Sequence, residues 1–181
     1  MKLVVLDRDG VINKDSPDYI KSADEWHALA GSLEAIARLN AAGYKVAVAT
    51  NQSGIGRGLF SFNDLLAMHT KMQQALSSLG GSIDAFFICP HHPDESCDCR
   101  KPAPGLFKEI RQRYHLSDEQ EVVAVGDSLR DLQAAQATGF RPVLVKTGNG
   151  INTLTKLSAD SQIPVYNDLA DFVSHFLQPK T

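Results

Sequence analysis

Two aspartates separated by one residue follow a short apolar run at the start of the sequence. The run, Leu3–Leu6, contains two adjacent valines, which is typical of a buried strand in a parallel sheet. Asp7 and Asp9 come directly after it, and Gly10 then permits a sharp turn. Two carboxylates this close repel each other unless a cation or a proton intervenes. With oxygen ligands only, the pair predicts a Mg²⁺ site.

Further polar residues follow three later apolar runs. Thr50 and Asn51 follow the second run, Arg100 and Lys101 follow the third run and its loop, and Asp127 follows the fourth. If these runs are parallel strands, their ends share one edge of the sheet, and ligands of open α/β sheets bind in the crevice at that edge. We therefore expect these side chains to converge on the two aspartates.

The converging groups suit the hydrolysis of a phosphate monoester. Asp7 would attack phosphorus to form an aspartyl-phosphate, while Asp9 would protonate the leaving alcohol and later deprotonate water. Asp7 and Asp127 would hold Mg²⁺, which neutralises charge in the transition state. Further groups would bind the phosphoryl oxygens: the side chains of Lys101 and Thr50, and the backbone N–H groups of Asn51 and Arg8.

Each of these residues also has an ordinary structural interpretation. Thr50 could simply end a strand, and Lys101 could be a surface lysine. Asp127 or Ser128 could cap the helix that follows. The joint occurrence of these residue types at successive strand ends favours the catalytic interpretation.

Three cysteines lie close together in the sequence, at Cys89, Cys97 and Cys99, with His91 and His92 between them. Cys₃His is a recognised closed zinc site, and the symmetry of the spacing favours His91 over His92 as the fourth ligand. A structural zinc ion would staple the polar loop 89–101 and fix the basic residues that end it. Buried free cysteines, or a redox pair at Cys97 and Cys99, are the alternatives.

Alternating strands and helices must position these groups. The patterns predict strands over 3–6, 44–49, 83–88, 121–125, 141–145 and 165–166, and helices over 31–42, 61–79, 104–114, 129–138 and 169–176. This order predicts an α/β fold with right-handed crossovers: a three-layer, Rossmann-like parallel sheet with helices on both faces. No segment between Asn13 and Gly31, or within the cysteine loop, is long enough to fold alone. We therefore expect one capless domain over residues 1–181.

The composition narrows the class of function. The 181 residues are 43% hydrophobic and 22% charged, with a formal net charge of −3, as in an ordinary globular protein. This balance gives no reason to expect nucleic-acid binding. The sequence shows no run as long as a membrane span and no signal-peptide pattern, so we expect a cytoplasmic protein without a membrane partner. Because no long apolar patch is visible, we also expect a monomer.

The motifs resemble those of the haloacid dehalogenase superfamily of phosphatases. The resemblance rests on Asp7-Arg8-Asp9-Gly10-Val11, Thr50, Lys101 and Gly126-Asp127. Within the superfamily, the chain resembles the heptose bisphosphate phosphatases. The matching segments are the TNQSGIGRG run at 50–58, the CPHHP opening at 89–93 and the CDCRKP closing at 97–102. The resemblance extends from Lys2 to about Gly148.

This resemblance implies roles for individual residues. Asp7 would be the nucleophile and Asp9 the general acid and base. Mg²⁺ would bind Asp7, the backbone carbonyl of Asp9 and Asp127, and the transferring phosphoryl group would bind Thr50 and Lys101. Zinc would bind Cys89, His91, Cys97 and Cys99. The substrate would contact further residues, namely Arg8, Asn51, Gln52, Ser53, Arg57, Arg100 and Ser128.

The implied reaction removes the 7-phosphate of D-glycero-D-manno-heptose 1,7-bisphosphate. Its product would serve the synthesis of nucleotide-activated heptose for lipopolysaccharide or other surface glycans. The loop between His91 and Cys97 is short, as in the related histidinol-phosphate phosphatases, so histidinol phosphate is the alternative substrate. We favour the heptose because residues 53 and 55–58 resemble that group and because Arg57 and Arg100 could bind a second phosphate. A zinc-stapled binding module without turnover is a third alternative.

Overall fold

The computed structural model describes residues 1–179. In chain order the elements are β1 (Lys2–Leu6), α1 (Ser32–Ala41), β2 (Tyr44–Asn51), α2 (Ser53–Gly56), α3 (Phe62–Ser77), β3 (Ala85–Cys89), α4 (Gly105–Arg113), β4 (Val123–Gly126), α5 (Leu129–Gln136), β5 (Arg141–Val145), α6 (Gly150–Leu154), β6 (Val165–Tyr166) and α7 (Leu169–Phe176). The strands form one parallel sheet in the order β3-β2-β1-β4-β5-β6. The predicted parallel α/β fold is confirmed.

The central strands bury side chains on both faces of the sheet, because successive residues of a strand point to opposite sides. Val4 and Leu6 belong to one buried cluster, which includes residues of α1, α3 and α7. Leu3 and Val5 belong to the other, which includes residues of α4 and α5. The result is the expected three-layer arrangement, and it explains why β1 is apolar at four consecutive positions.

The strand order reverses between β1 and β4. In the paired registers, Leu6 of β1 lies beside Val48 of β2 and Val125 of β4. The residues that follow these three positions therefore emerge together at one edge of the sheet, which is where ligands bind in folds of this kind.

Several details differ from the patterns read in the sequence; β4, for example, begins at Val123 rather than at Glu121. The short helices α2 and α6 lie in segments where no element was predicted. The strand β3 begins at Ala85 rather than at Ile83. Ile83 is held outside the ladder because both of its backbone polar groups bond to the side-chain amide of Gln73 on α3, at 3.0 and 2.9 Å.

The connection from β1 to α1 contains turns and two isolated bridges, Asp9–Asn13 and Asn13–Ala28. It has no helix or strand of its own, which agrees with the expectation that no cap is inserted there. Within residues 1–179, no helix combines the length and the apolar character needed to cross a membrane.

Candidate active site

A cavity of about 210 Å³ opens at the carboxyl ends of β1, β2 and β4. Ten of its lining residues were expected from the sequence: Asp7, Arg8, Asp9, Thr50, Asn51, Gln52, Ser53, Arg100, Lys101 and Asp127. Six others were not: Asp15, Ser16, Tyr19, Ile20, Arg130 and Asn149. Side chains from distant parts of the chain therefore meet at the predicted edge.

Three carboxylates gather beneath this cavity. Oxygen atoms of Asp7, Asp127 and Asp131 all lie within 4.8 Å of one another. The Asp7 Oδ1 atom accepts a hydrogen bond from the backbone N–H of Arg8 at 2.8 Å. The Asp127 Oδ2 atom accepts one from the backbone N–H of Asn149 at 2.7 Å. Backbone N–H groups on both sides of the point where the strand order reverses therefore hold two of the three carboxylates in place.

Burial and the neighbouring negative charges raise the pKa values of two carboxylates in this cluster. Burial, followed by the charge of Asp131, raises the pKa of Asp7 to about 7, against the opposing effect of Lys101. Burial, followed by the charges of Asp7 and Asp131, raises the pKa of Asp127 to about 8. A divalent cation would relieve this repulsion, and a set of carboxylate oxygens is the donor set that Mg²⁺ prefers.

Lys101 is the cation nearest to these acids. It is 2% exposed, and its Nζ atom forms ion pairs with Asp7 at 2.9 Å and Asp131 at 2.6 Å. The Nζ atom also donates a hydrogen bond to the carbonyl of Ala49 at 2.7 Å. Burial alone lowers the pKa of Lys101, but the charges of Asp131 and Asp7 outweigh it and raise the pKa. The ammonium therefore stays charged beside the cavity.

Asp9 is surrounded by hydrogen-bond donors. Its carboxylate accepts bonds from the side chains of Arg8, Asn13 and Gln52. Burial raises the pKa of Asp9, but the Arg8 charge and these hydrogen bonds together outweigh it and lower the pKa. The Gln52 amide also donates to the Thr50 hydroxyl oxygen at 2.9 Å. Because that oxygen accepts this bond, the hydroxyl proton of Thr50 is left to donate elsewhere.

Asn51 and Ser128 have structural partners. The Asn51 side chain exchanges two hydrogen bonds of 3.0 Å with the backbone of Lys101, so it ties β2 to the loop that carries the lysine. Ser128 precedes α5, and its backbone N–H donates to the Asp131 carboxylate at 2.9 Å. The Ser128 hydroxyl donates to the same oxygen, and this pair forms a capping box.

The two arginines expected to meet a second phosphate lie in different places. Arg100 lines the cavity, and its buried Nη1 atom has no hydrogen-bond partner among the described residues. Burying a guanidinium nitrogen without an acceptor costs free energy, and an anion bound in the cavity would supply the missing acceptor. Arg57 is exposed at the end of α2 and does not line the cavity.

The cysteine loop gathers four potential metal ligands at the end of β3. The Sγ atom of Cys97 lies 3.8 Å from that of Cys89 and 3.7 Å from that of Cys99. The Nδ1 atom of His91 lies 3.5 Å from Cys89 Sγ and 3.1 Å from Cys99 Sγ. A tetrahedral zinc site with ordinary bond lengths has S···S edges of about 3.8 Å and S···N edges of about 3.5 Å. The donor set and its dimensions are therefore compatible with zinc.

Sequence reasoning missed Asp131, the third carboxylate of the cluster. Two signals for it were present: it lies one helical turn after Asp127, and Ser128-x-x-Asp131 is a capping-box pattern. Neither signal says that the capping carboxylate would also face Lys101. Asn149 and Arg130 carried no pattern of their own, because they reach the cavity only through the positions of α5 and α6.

Comparisons with known proteins agree with this geometry. A HAD-hydrolase-like family model matches residues 98–172. A D-glycero-β-D-manno-heptose-1,7-bisphosphate 7-phosphatase from Bordetella bronchiseptica is 54% identical over 178 residues, covering 98% of this chain and 99% of the relative. A protein of the same name from Pseudomonas aeruginosa is 49% identical over 176 residues, covering 97% and 98% of the two chains.

Solved structures give the same result. The crystal structure of the D,D-heptose 1,7-bisphosphate phosphatase from B. bronchiseptica, complexed with magnesium and phosphate, matches with a TM-score of 0.95 at 54% identity and covers 98% of this chain and 99% of that one. The corresponding phosphatase from Burkholderia thailandensis matches with a TM-score of 0.76 at 51% identity, covering 98% and 99%. With relatives of this identity aligned over nearly its whole length, the chain belongs to the heptose 1,7-bisphosphate 7-phosphatase family of the haloacid dehalogenase superfamily.

Proposed function

We propose that this chain is a Mg²⁺-dependent phosphatase that removes the 7-phosphate of D-glycero-β-D-manno-heptose 1,7-bisphosphate. The observation that carries the proposal is the convergence of Asp7, Asp127, Asp131 and Lys101 at one cavity, in a chain aligned end to end with relatives of that name. The names of those relatives support the β-anomer. We further propose that residues 1–181 act as one phosphatase domain and as a monomer, and that the product enters surface-glycan synthesis.

The side chains divide the chemistry among them. Asp7 attacks phosphorus, and the Lys101 ammonium beside it stabilises the charge that grows on the phosphoryl oxygens. Thr50 donates its free hydroxyl proton to the same oxygens. Asp9 gives a proton to the departing sugar oxygen and later takes one from the water that hydrolyses the aspartyl-phosphate.

The residues that would hold Mg²⁺ are Asp7, Asp127 and the backbone carbonyl of Asp9, as expected from the sequence. The magnesium of the B. bronchiseptica structure supports this assignment. When bound, the ion supplies charge neutralisation between the nucleophile and the incoming phosphate. Asp131 is paired with Lys101 and capped by Ser128, so its role is to hold the lysine in place.

We propose that the Cys₃His cluster binds a structural zinc ion. The cluster offers no open position for a substrate, as in other closed zinc sites. Its loop ends at Arg100 and Lys101, so ordering the loop orders two cations of the cavity. Arg100, with the exposed guanidinium of Arg130 at the cavity, would contact the phosphate on C1. Arg57 lies outside the lining and has no role in this assignment.

A substrate panel tests the proposal. Phosphate release is measured with both anomers of heptose 1,7-bisphosphate, fructose 1,6-bisphosphate and histidinol phosphate, using wild type, Asp7→Asn and the surface control Asp118→Asn. We expect the highest kcat/KM on the β-anomer, loss of turnover in Asp7→Asn and full activity in Asp118→Asn. Preference for histidinol phosphate would replace the substrate assignment, and equal rates in wild type and Asp7→Asn would remove the mechanism.

A further inference from the structure

We propose that the two oxygens of Asp9 have separate tasks: Arg8 and Asn13 anchor Oδ1, and Oδ2, which faces Gln52, exchanges the proton with the substrate. This assignment rests on the proposed function, because it takes Asp9 as the general acid and base. It makes Arg8, whose side chain lies inside the protein, a positioning residue for catalysis.

The hydrogen bonds of the carboxylate are unevenly distributed. Oδ1 accepts bonds from Arg8 Nη2 at 2.8 Å, Asn13 Nδ2 at 2.9 Å and Arg8 Nε at 3.2 Å. Oδ2 accepts one short bond, from Gln52 Nε2 at 2.8 Å, and shares the Arg8 Nε donor at 3.1 Å. A carboxylate oxygen has two lone pairs, so the three donors of Oδ1 exceed its lone pairs, whereas Oδ2 has two donors and shares one of them. Of the two oxygens, Oδ2 needs fewer donors to move before it can carry a proton.

The donors also differ in how firmly the surrounding protein holds them. Arg8 is 1% exposed and Asn13 is fully buried, and Asn13 does not line the cavity. The Nη1 atom of Arg8 lies 3.9 Å from the Met68 sulfur of α3, so one side of the guanidinium contacts α3 while the other binds Asp9. Gln52 does line the cavity. Arg8 lines the cavity too, but its packing holds it in place, so Gln52 is the donor that a bound substrate can displace most readily.

The proton inventory follows from this assignment. As the Asp7 oxygen bonds to phosphorus, the bond from phosphorus to the sugar oxygen breaks, and its electron pair takes the proton carried by Oδ2. Water then attacks the aspartyl-phosphate, its proton passes to Oδ2, and the bond from phosphorus to Asp7 breaks to release inorganic phosphate. Asp7 and Asp9 are restored, and Oδ1 keeps its bonds to Arg8 and Asn13 throughout.

Arg8→Met tests the anchor, because methionine fills the buried space next to Met68 but donates no hydrogen bonds. The readout is kcat/KM on two substrates, the heptose bisphosphate and p-nitrophenyl phosphate, since this parameter covers binding and phosphoryl transfer but not the later hydrolysis of the aspartyl-phosphate. A sugar alkoxide needs a proton to leave, whereas p-nitrophenolate leaves without one. Proton transfer by a positioned acid contributes about 10²–10⁴-fold, and Asp9→Asn calibrates the full loss for this protein.

We expect Arg8→Met to lose at least about tenfold more kcat/KM on the sugar phosphate than on p-nitrophenyl phosphate. The reason is that Asp9 is still present in this variant but is no longer held in the orientation for proton transfer. Arg8→Lys keeps a positive charge but not the paired Nε and Nη2 donors, so we expect the same selective loss at a smaller size. This variant provides the test if Arg8→Met does not fold. Equal losses on both substrates, or no loss, would contradict the proposal that Arg8 holds Asp9 in place for proton transfer. If wild type turns over neither substrate, it is the proposed function that fails.

Discussion

One buried lysine forms ion pairs with two of the site's carboxylates. Lys101 meets Asp7 and Asp131 through a single ammonium group that is almost fully withdrawn from water. Removing one partner of a buried ion pair leaves the other charge without compensation, which costs more than the pair contributed. The residue therefore affects both the stability of the fold and the chemistry at the cavity.

We expect Lys101→Met to lower phosphatase activity by about 100-fold or more, because the phosphoryl oxygens lose a fixed positive charge. We also expect it to lower the free energy of unfolding by about 3–5 kcal/mol in metal-free buffer. Kinetics and urea unfolding measure the two effects. Lys45→Met is the matched control: it breaks an exposed pair with Asp84 and should change stability by less than about 1 kcal/mol. Similar effects of both substitutions would contradict the importance of burial.

For individual residues, the sequence predicts which side chains belong to the site better than it predicts which of them contact each other. Asp7, Asp9, Thr50 and Lys101 could be singled out because each follows an apolar run that ends at the same edge. Asp131 could not, because its distinguishing property is a contact with a lysine thirty positions earlier. Periodicity and spacing contain no information on such a contact.

Among the elements, the cysteine loop connects a possible metal centre to the cavity. It begins at the last residue of β3 and ends at Arg100 and Lys101, which line the cavity. The short helix α2 rests against it, since the backbone N–H of Gly56 donates to the Pro90 carbonyl at 2.8 Å. Anything that orders this loop therefore orders one wall of the cavity.

The two adjacent histidines allow a matched test of the zinc proposal. We expect His91→Gln to abolish stoichiometric zinc, because its Nδ1 atom lies among the three sulfurs, and to lower both Tm and activity. His92→Gln should keep the zinc, since that imidazole faces Asp94 at 3.4 Å instead. Metal analysis and thermal melting give the readouts. Zinc retained by His91→Gln, or lost equally by both variants, would reject the ligand assignment.

A loop glycine after β5 offers a test of the carboxylate cluster. Gly148 has a φ of +57°, and a Cβ there would overlap the Asp127 carboxylate. Gly139 also has a positive φ, of +74°, but a Cβ would meet nothing within 4 Å. Alanine at either position should cost roughly 1–2 kcal/mol from backbone strain. We expect only Gly148→Ala to raise the Mg²⁺ concentration needed for half-maximal activity, and the same shift in Gly139→Ala would contradict the explanation.

Element boundaries were predictable where burial alone decides them. The strands β1 and β5 carry continuous apolar runs, and the pattern predicts them closely. The start of β3 was not predictable, because the Gln73 side chain takes the backbone bonds that would have extended the ladder. The helices α2 and α6 have only four and five residues, which is too short for a periodic pattern to develop.

At the scale of the whole molecule, the cluster joins distant parts of the chain. Asp7 follows the first strand and Asp127 the fourth, and the two strands become neighbours only because the sheet order reverses between them. A ligand that binds both carboxylates binds the folded chain and not the unfolded one. Such a ligand stabilises the fold by about 2.7 kcal/mol at a hundred times its Kd.

This linkage makes the effect of Mg²⁺ on stability depend on pH. Without metal, the raised pKa values of Asp7 and Asp127, about 7 and about 8 against an ordinary value of 3.8, mean that the folded chain holds protons that the unfolded chain has released. Their stabilising contribution is fully present below the ordinary value and is lost as pH rises through about 7 and about 8. We therefore expect the metal-free Tm to fall as pH rises from about 4 to about 8, and these two groups to cause no further fall above that.

Mg²⁺ binds the ionised carboxylates, so at low pH it must displace their protons. We expect it to raise Tm more at about pH 9 than at about pH 6, with calorimetry at matched ionic strength as the measurement. Asp127→Asn removes one of the two titrating groups and one expected ligand, so it should reduce both the pH dependence without metal and the response to Mg²⁺. An equal rise in Tm at both pH values in wild type would show that the ion binds elsewhere, and the site formed by the ends of β1 and β4 would then lose its main physical support.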